Sequence, residues 1–375
     1  MSGTGETQDH SWLVTMLGPS RVGKTSLLTA LQVAANDYFA GTPVRVEPED
    51  EITRRAFADN NRIMISELKA RRFSPLLKGD EEERTYGLTV SAGVDTHRIV
   101  LRFQDYPGGY LSTAKSSRVT ELLADSPTAI VPIDATLLME AGDDNSLEIM
   151  TGLGLVEVEE QVRIWAKTRT QAGDRTRLLL VPVKCESYFN DNGGQYNEAD
   201  KLFKMVQKYY GSLVDIYRQE SGRGPLMYAP VDTIGPIELM DVTWVVDDSG
   251  VRRMKPEYSV RSDAFGAPLP RKIKGAEPVL AHLVKDVLSV QDEALRLVEL
   301  EADRQLTDIQ KENLRRRSNW FKRFLDDFSG NHTKRKVRLE EARSKLDALN
   351  ADLEKLTQGV DSLSGNDSGR VRIWP

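Results

Sequence analysis

The chain has 375 residues and a formal net charge of −6. That is long enough for two or three structural units around a sizeable core, and the charge balance offers no global footprint for nucleic acid. A single cysteine, Cys185, excludes an internal disulfide and suits a reducing compartment. The polar first ten residues and the lack of any apolar run of membrane-spanning length read as a cytoplasmic chain. Four scattered histidines form no metal-ligand cluster and no nucleophile–histidine–acid set.

Residues 1–10 are expected to be disordered. Ser11 to Leu17 is an apolar run of strand length, and Ser26 to Ala35 continues with apolar residues at helical spacing. Between them lies Gly18-Pro-Ser-Arg-Val-Gly23-Lys24-Thr25, a complete G-x-x-x-x-G-K-[ST] loop in its required setting of strand, glycine loop and helix. The glycines let the backbone curl so that successive N–H groups point at phosphate oxygens, and the helix N-terminus adds favourable partial charge. Gly18, Ser20, Arg21, Val22, Gly23, Lys24, Thr25 and Ser26 are the candidate phosphate contacts. Lys24 would reach the β- and γ-phosphates, and the Thr25 hydroxyl would ligate Mg²⁺. The expected ligand is a nucleoside triphosphate.

About residues 41–83 form a charged insertion with a helical stretch from Glu49 to Arg72 and an acidic run from Asp80 to Glu83. It reads either as a solvated elaboration or as a specificity element that moves with the segment after it. Arg84 to His97 reads as a strand and turn leading into a second strand, His97 to Asp105, in which Ile99, Leu101 and Phe103 alternate. The two would form an antiparallel hairpin. Asp105, at the carboxyl end of a strand beside the phosphate loop, can hold Mg²⁺ directly or through water. Gly108, lacking a side chain, can bring its N–H close to a γ-phosphate.

With Asp105-Tyr-Pro-Gly108 following the phosphate loop, the chain resembles the P-loop GTPases of the translation-factor-related, Ras-like class over roughly residues 11–290. The resemblance implies a GTPase with Mg²⁺, GTP as substrate and GDP as product. It implies that a threonine before the hairpin, Thr85 with Thr89 in reserve, completes the metal and γ-phosphate contacts. Lys24, Thr85 and Gly108 then carry the chemistry. Gly109 stands where such enzymes often have Gln or His to orient the attacking water, so slow hydrolysis is expected. Arg177 to Glu186 occupies the place of the guanine-reading N-K-x-D motif, with Lys184 matching, Val183 in place of Asn and Glu186 in place of Asp. Glu186 is either a carboxylate accepting from the guanine N1–H and N2 amine or an incidental acid at a strand end. Ala229 holds the small-residue position of the loop that contacts the base.

Ser126 to Asp134 is another buried strand, followed by an amphipathic helix from Val156 to Thr168. Strands alternating with helices predict a doubly wound, mostly parallel α/β sheet with its ligand at the carboxyl ends of the strands. Residues 237–275 hold a predicted β-hairpin around Asp247-Asp-Ser-Gly250. From Glu277 to Arg317 the pattern is one long helix, and Thr333 to Leu363 a second, so residues 291–363 are predicted as a coiled-coil hairpin ahead of a tail at 364–375. That arm would serve a protein partner or self-association. The basic, aromatic stretch Trp320-Phe-Lys-Arg-Phe324-Leu-Asp-Asp-Phe328 either contacts an anionic membrane surface or partner groove, or closes the hairpin tip. No nucleic acid is expected. Two alternatives stay open: an ATPase using the same loop, and a structural or membrane-associated coiled-coil protein whose assembly nucleotide controls.

Overall fold

Consecutive β-branched and leucine residues bounded by polar ends give strands buried on both faces, and these build one sheet. The computed structural model describes residues 11–40, 44–70, 82–92, 98–111, 113–192, 196–222, 224–246, 250, 252–302, 339–344, 347, 351 and 370–374. Its strands are β1 (Ser11–Met16), β2 (Val44–Pro48), β3 (Arg84–Ala92), β4 (Arg98–Asp105), β5 (Thr128–Asp134), β6 (Arg177–Val183), β7 (Leu226–Tyr228), β8 (Ile237–Val246), β9 (Arg252–Val260) and β10 (Arg372–Ile373). Eight of them form a sheet in the order β10-β7-β6-β5-β1-β4-β3-β2. The centre, from β4 through β1, β5 and β6 to β7, is parallel; the edge pairings β4–β3, β3–β2 and β7–β10 are antiparallel.

The helices are α1 (Lys24–Tyr38), α2 (Glu51–Lys69), α3 (Ser116–Ala124), α4 (Ala135–Glu140), α5 (Ser146–Leu153), α6 (Leu155–Gln171), α7 (Ala199–Ser221) and α8 (Ala276–Ala302). They cover both faces. On one, Leu27 and Leu31 of α1 and Leu280, Leu283 and Val287 of α8 pack with Val14, Met16 and Val181. On the other, Val162 and Trp165 of α6 and Leu202, Val206 and Tyr210 of α7 pack with Ala129, Val131 and Leu180. This is the doubly wound, mostly parallel α/β arrangement that alternating elements predict.

The predicted β3–β4 hairpin forms, with Arg84 opposite Asp105 and Ser91 opposite Arg98. The insertion contains the expected helix as α2, capped by Asp50, whose Oδ1 accepts from the Thr53 amide at 2.6 Å. It also contains β2, an edge strand that the sequence reading passed over. The β8–β9 hairpin pairs Val246 with Arg252.

The C-terminal tail is part of the sheet rather than an appendage. β10 pairs with β7, Trp374 is buried against Phe203, and Arg370 reaches into the loops after β6 and β7. Its guanidinium binds Asp191 at 2.6 and 2.7 Å and both oxygens of Asp232 at 3.0 Å, and it lies 4.1 Å from the centre of the Phe189 ring. Of the predicted arm, α8 extends to Ala302, and residues 339–344 are helical. Leu339 shares a buried cluster with Leu295, and Arg343 pairs with Asp292 at 3.2 Å. Trp320, Phe321, Phe324 and Phe328 lie outside the described residues, as do residues 1–10 and the acidic run Asp80-Glu81. No helix among the described residues is long and apolar enough to cross a membrane.

Asp232 is fully buried, so removing its cation leaves an uncompensated buried charge. Arg370→Ala should lower stability by about 3–5 kcal/mol, read as an earlier urea midpoint. A loss within about 1 kcal/mol, the size of an exposed pair, would show that the tail does not hold these loops.

Candidate functional site

The phosphate loop leaves the sheet where β1 ends: Leu17 N–H donates to the Ile130 carbonyl at 2.7 Å, and the chain then turns through Gly18 to Gly23. Gly23 has φ 110° and caps α1, a backbone that a side chain would strain. Arg21 and Lys184 are the two non-glycine residues among those described with positive φ, 66° and 60°. Such strain persists only where surrounding structure enforces it, and it clusters at functional sites. These two residues touch: Lys184 Nζ donates to the Arg21 carbonyl at 3.4 Å.

Lys24 opens α1 and is buried; its Nζ donates to the carbonyls of Gly18 at 2.9 Å and Pro19 at 3.1 Å and lies 5.5 Å from the centre of the Tyr106 ring. Burial pushes its pKa down, and the Asp105 charge opposes this. A cation held by carbonyl dipoles among helix N-terminal amides is suited to exchange those carbonyls for phosphate oxygens.

Thr25 Oγ1 donates to Asp105 Oδ2 at 3.0 Å, joining the loop to the end of β4. Among the described residues no group of three His, Cys, Asp or Glu side chains could hold a metal. A hydroxyl and a carboxylate oxygen side by side nevertheless fit Mg²⁺, a hard cation that takes one or two protein oxygens and completes its shell with phosphate and water. Gly108 lies directly against the loop: a Cβ built on it would collide with the Ser20 amide nitrogen and the Pro19 carbonyl carbon. Thr85 differs from expectation. It is not in a loop ahead of the strand but an exposed member of β3, opposite Gln104 and one register step from Asp105. Thr89 is likewise a ladder residue, opposite Val100. Strand pairing that extends to Arg84 captures both.

The base end also differs from expectation. Lys184 bridges the strand ends: besides Arg21 it binds Asp134 Oδ2 at 2.5 Å, the carboxylate that closes β5. Asp134 has no role in the sequence reading, although a strand ending in a carboxylate at the ligand edge was the available signal. Glu186 is buried, and its Oε1 accepts the amides of Thr233, Ile234 and Gly235 at 2.7, 2.6 and 3.3 Å. Its Oε2 is buried without a hydrogen-bond partner. In this arrangement the carboxylate holds a loop and does not present two free acceptors to a guanine edge. Burial, with the nearby Asp232 charge, pushes its pKa up to about 7. Ala229 lies within the sheet. Its amide donates to the Leu180 carbonyl within the sheet, and the strand continues to Val231, which bridges Val183. The pairing therefore runs three residues past the apolar run Leu226–Tyr228, and Asp232 and Thr233 follow its end.

No family model matches this chain, and no curated protein matches it. Solved structures that match include Sup35 complexed with GDP, at 12% identity and TM-score 0.31, over 60% of this chain and 38% of that one. The Saccharomyces cerevisiae Ski7 GTPase-like domain matches when bound to GDP and inorganic phosphate, at 11% identity and TM-score 0.35, and when bound to GTP, at 12% and 0.34. Both cover 60% of this chain and 43% of theirs. The matched region spans less than half the length of those chains.

Two outcomes follow from the contacts. Gly108→Ala should force the β4–α3 connection off the phosphate loop, since backbone rather than a flexible side chain fills the space. Hydrogen exchange at residues 106–111 should accelerate, and unchanged exchange would refute the close approach. For Glu186 the folded pKa, about 7, lies above the ordinary glutamate value of 4.5. The folded state then binds more protons than the unfolded one between these values, so its stabilising contribution is full below about 4.5 and is lost as pH rises through about 7. Glu186→Gln should flatten that decline in melting temperature, and an identical slope in both proteins would contradict it.

Proposed function

We propose that this chain is a nucleotide-controlled switch that binds a nucleoside triphosphate, GTP by first expectation, with Mg²⁺, and hydrolyses it slowly to GDP. The C-terminal helices would carry the output to a protein partner or a second copy, in the cytoplasm or at a membrane surface. The observation that carries the reading is the Thr25 Oγ1–Asp105 Oδ2 contact of 3.0 Å beside a buried Lys24 at the head of α1. A cation at a helix N-terminus beside a hydroxyl and a carboxylate oxygen would suit a triphosphate and its Mg²⁺.

In this mechanism Lys24 exchanges its bonds to the Gly18 and Pro19 carbonyls for β- and γ-phosphate oxygens. The amides from Ser20 to Ser26 surround the α- and β-phosphates, and the Gly108 N–H faces the γ-phosphate. Thr25 and Asp105 would hold Mg²⁺, with Thr85 as a further ligand once the first residues of β3 leave the ladder; the ion would neutralise charge developing on the transferred phosphoryl group. Gly109 supplies no side chain to orient water, which makes turnover slow. Lys184, extending from Asp134 to Arg21, is the shelf for the nucleoside.

The ATPase reading is favoured by one observation, the engagement of Glu186 Oε1 by three backbone amides. A site that does not offer guanine a paired acceptor loses the basis for rejecting adenine. The Leu339–Leu295 cluster and the Arg343–Asp292 pair, which bring residues 339–344 beside α8, support the arm.

Phosphate release from GTP and ATP with Mg²⁺ tests the proposal. Lys24→Ala and Thr25→Ala should reduce release to background. A side chain at Gly109 meets nothing within 4 Å, so Gly109→Gln should raise turnover by about tenfold or more, approaching the lower range of positioned general-base help. Wild-type release by Lys24→Ala would overturn the site assignment.

A further inference from the structure

The turn at the carboxyl end of β7 is gripped from three distant parts of the chain. Glu186 accepts the three amides of Thr233, Ile234 and Gly235. Arg271 takes the opposite polarity, donating from Nη2 to the Thr233 carbonyl at 3.1 Å and from Nε to the Ile234 carbonyl at 2.8 Å. Arg370 fixes Asp232 one residue earlier. Gly235 has φ 122°, and a Cβ there would meet Arg271 Cγ at 2.8 Å, so the turn is shaped around the arginine stem. A backbone whose donors meet a carboxylate and whose acceptors meet a guanidinium has little freedom left.

The position of this turn gives it a use. Val231 bridges Val183 in parallel, so residues 232–235 run out beside Lys184, whose ammonium reaches the phosphate loop. Arg271 also binds Asn61 Oδ1, and its Nη2 lies 3.1 Å from Met64 Sδ, both on α2; Leu68 of the same helix packs on Ile234 and Ile237. The other end of α2 meets β3. Thr53 Oγ1 accepts from the Gly87 amide at 3.3 Å, and Phe57 stacks on Tyr86 at 5.5 Å, next to Thr85. Burial pushes the Arg271 pKa down to about 10, with the Glu186 charge opposing.

We propose that Arg271 is a positioning residue that holds Thr233–Gly235 as the wall against which the nucleoside rests, and that through Asn61 and Met64 it ties this wall to α2 and the strand bearing Thr85. The inference rests on the triphosphate reading above. A wall built from fixed backbone discriminates by shape and by its remaining polar atoms, here the buried Thr233 Oγ1 and Glu186 Oε2, neither of which has a hydrogen-bond partner. The insertion is then a strut between the two ends of the nucleotide rather than a solvated ornament.

The test measures displacement of a fluorescent non-hydrolysable GTP analogue from the full chain by GTP, ATP and inorganic tripolyphosphate, with Mg²⁺. The ratio of tripolyphosphate to GTP dissociation constants reports the nucleoside contribution alone. In Arg271→Met this ratio should fall by about tenfold or more, while tripolyphosphate binding changes by less than about twofold. Asn61→Ala cuts only the link to α2 and leaves the grip on the turn; it should lower the ratio by about threefold at an unchanged melting temperature. The proposal is overturned if the ratio is unchanged in Asn61→Ala, or if in Arg271→Met both ligands weaken in parallel with a collapsed melting temperature. Failure of tripolyphosphate and nucleotide alike to bind wild type in a Lys24-dependent way would instead overturn the triphosphate reading, and this inference with it.

Discussion

Where parallel strands end, their backbone amides and carbonyls lose their ladder partners, and every buried one needs another. In this protein those partners are charged side chains. Lys24 takes the carbonyls of Gly18 and Pro19, Lys184 takes that of Arg21, Glu186 takes three amides after β7, and Arg271 takes two carbonyls of the same turn. The carboxyl edge of the sheet is thus lined with ions committed to backbone, and much of the chemistry of the site depends on which of them can exchange a backbone partner for a ligand. Lys24, at a helix N-terminus beside positive-φ Arg21 and Gly23, holds two carbonyls that a phosphate could replace. Glu186 is enclosed by its three amide contacts.

Much of the edge was legible in the sequence because it is local. The phosphate loop is a contiguous string between a strand and a helix, and the β3–β4 hairpin follows from alternating Ile99, Leu101 and Phe103 ahead of a Pro-Gly turn, although its pairing reaches further, to Arg84 and Asp105, than the expected place of Thr85. The base end was less legible because it depends on register and long-range contacts. β7 is a three-residue apolar run whose pairing extends to Val231, which moved the edge from Ala229 to Asp232. Asp232 is satisfied by Arg370, 138 residues away, and nothing in a local pattern announces that pair. β2 was missed because alternating Val44 and Val46 is too short to stand apart from the charged insertion. α7 has a clear signal in its sequence, Leu202, Val206, Tyr210, Leu213 and Tyr217 on one buried face.

The insertion and the tail, the two segments with the least obvious sequence patterns, both converge on the turn after β7. α2 spans 19 residues, about 28 Å at helical rise, with one end on Gly87 and Tyr86 and the other at Arg271. The tail adds β10 and clamps Asp191 and Asp232 together. The turn is thus tied both to α2, which reaches β3, and to the tail strand β10.

The central claim is that this edge binds a nucleoside triphosphate through its phosphates and Mg²⁺. Equilibrium titration of the full chain with mant-GTP and mant-ATP, each with Mg²⁺ and with EDTA, measures it most directly. The account predicts saturable, Mg²⁺-strengthened binding, with mant-GTP tighter than mant-ATP if the switch reading holds in full. Absence of Mg²⁺-dependent binding for both nucleotides would contradict it.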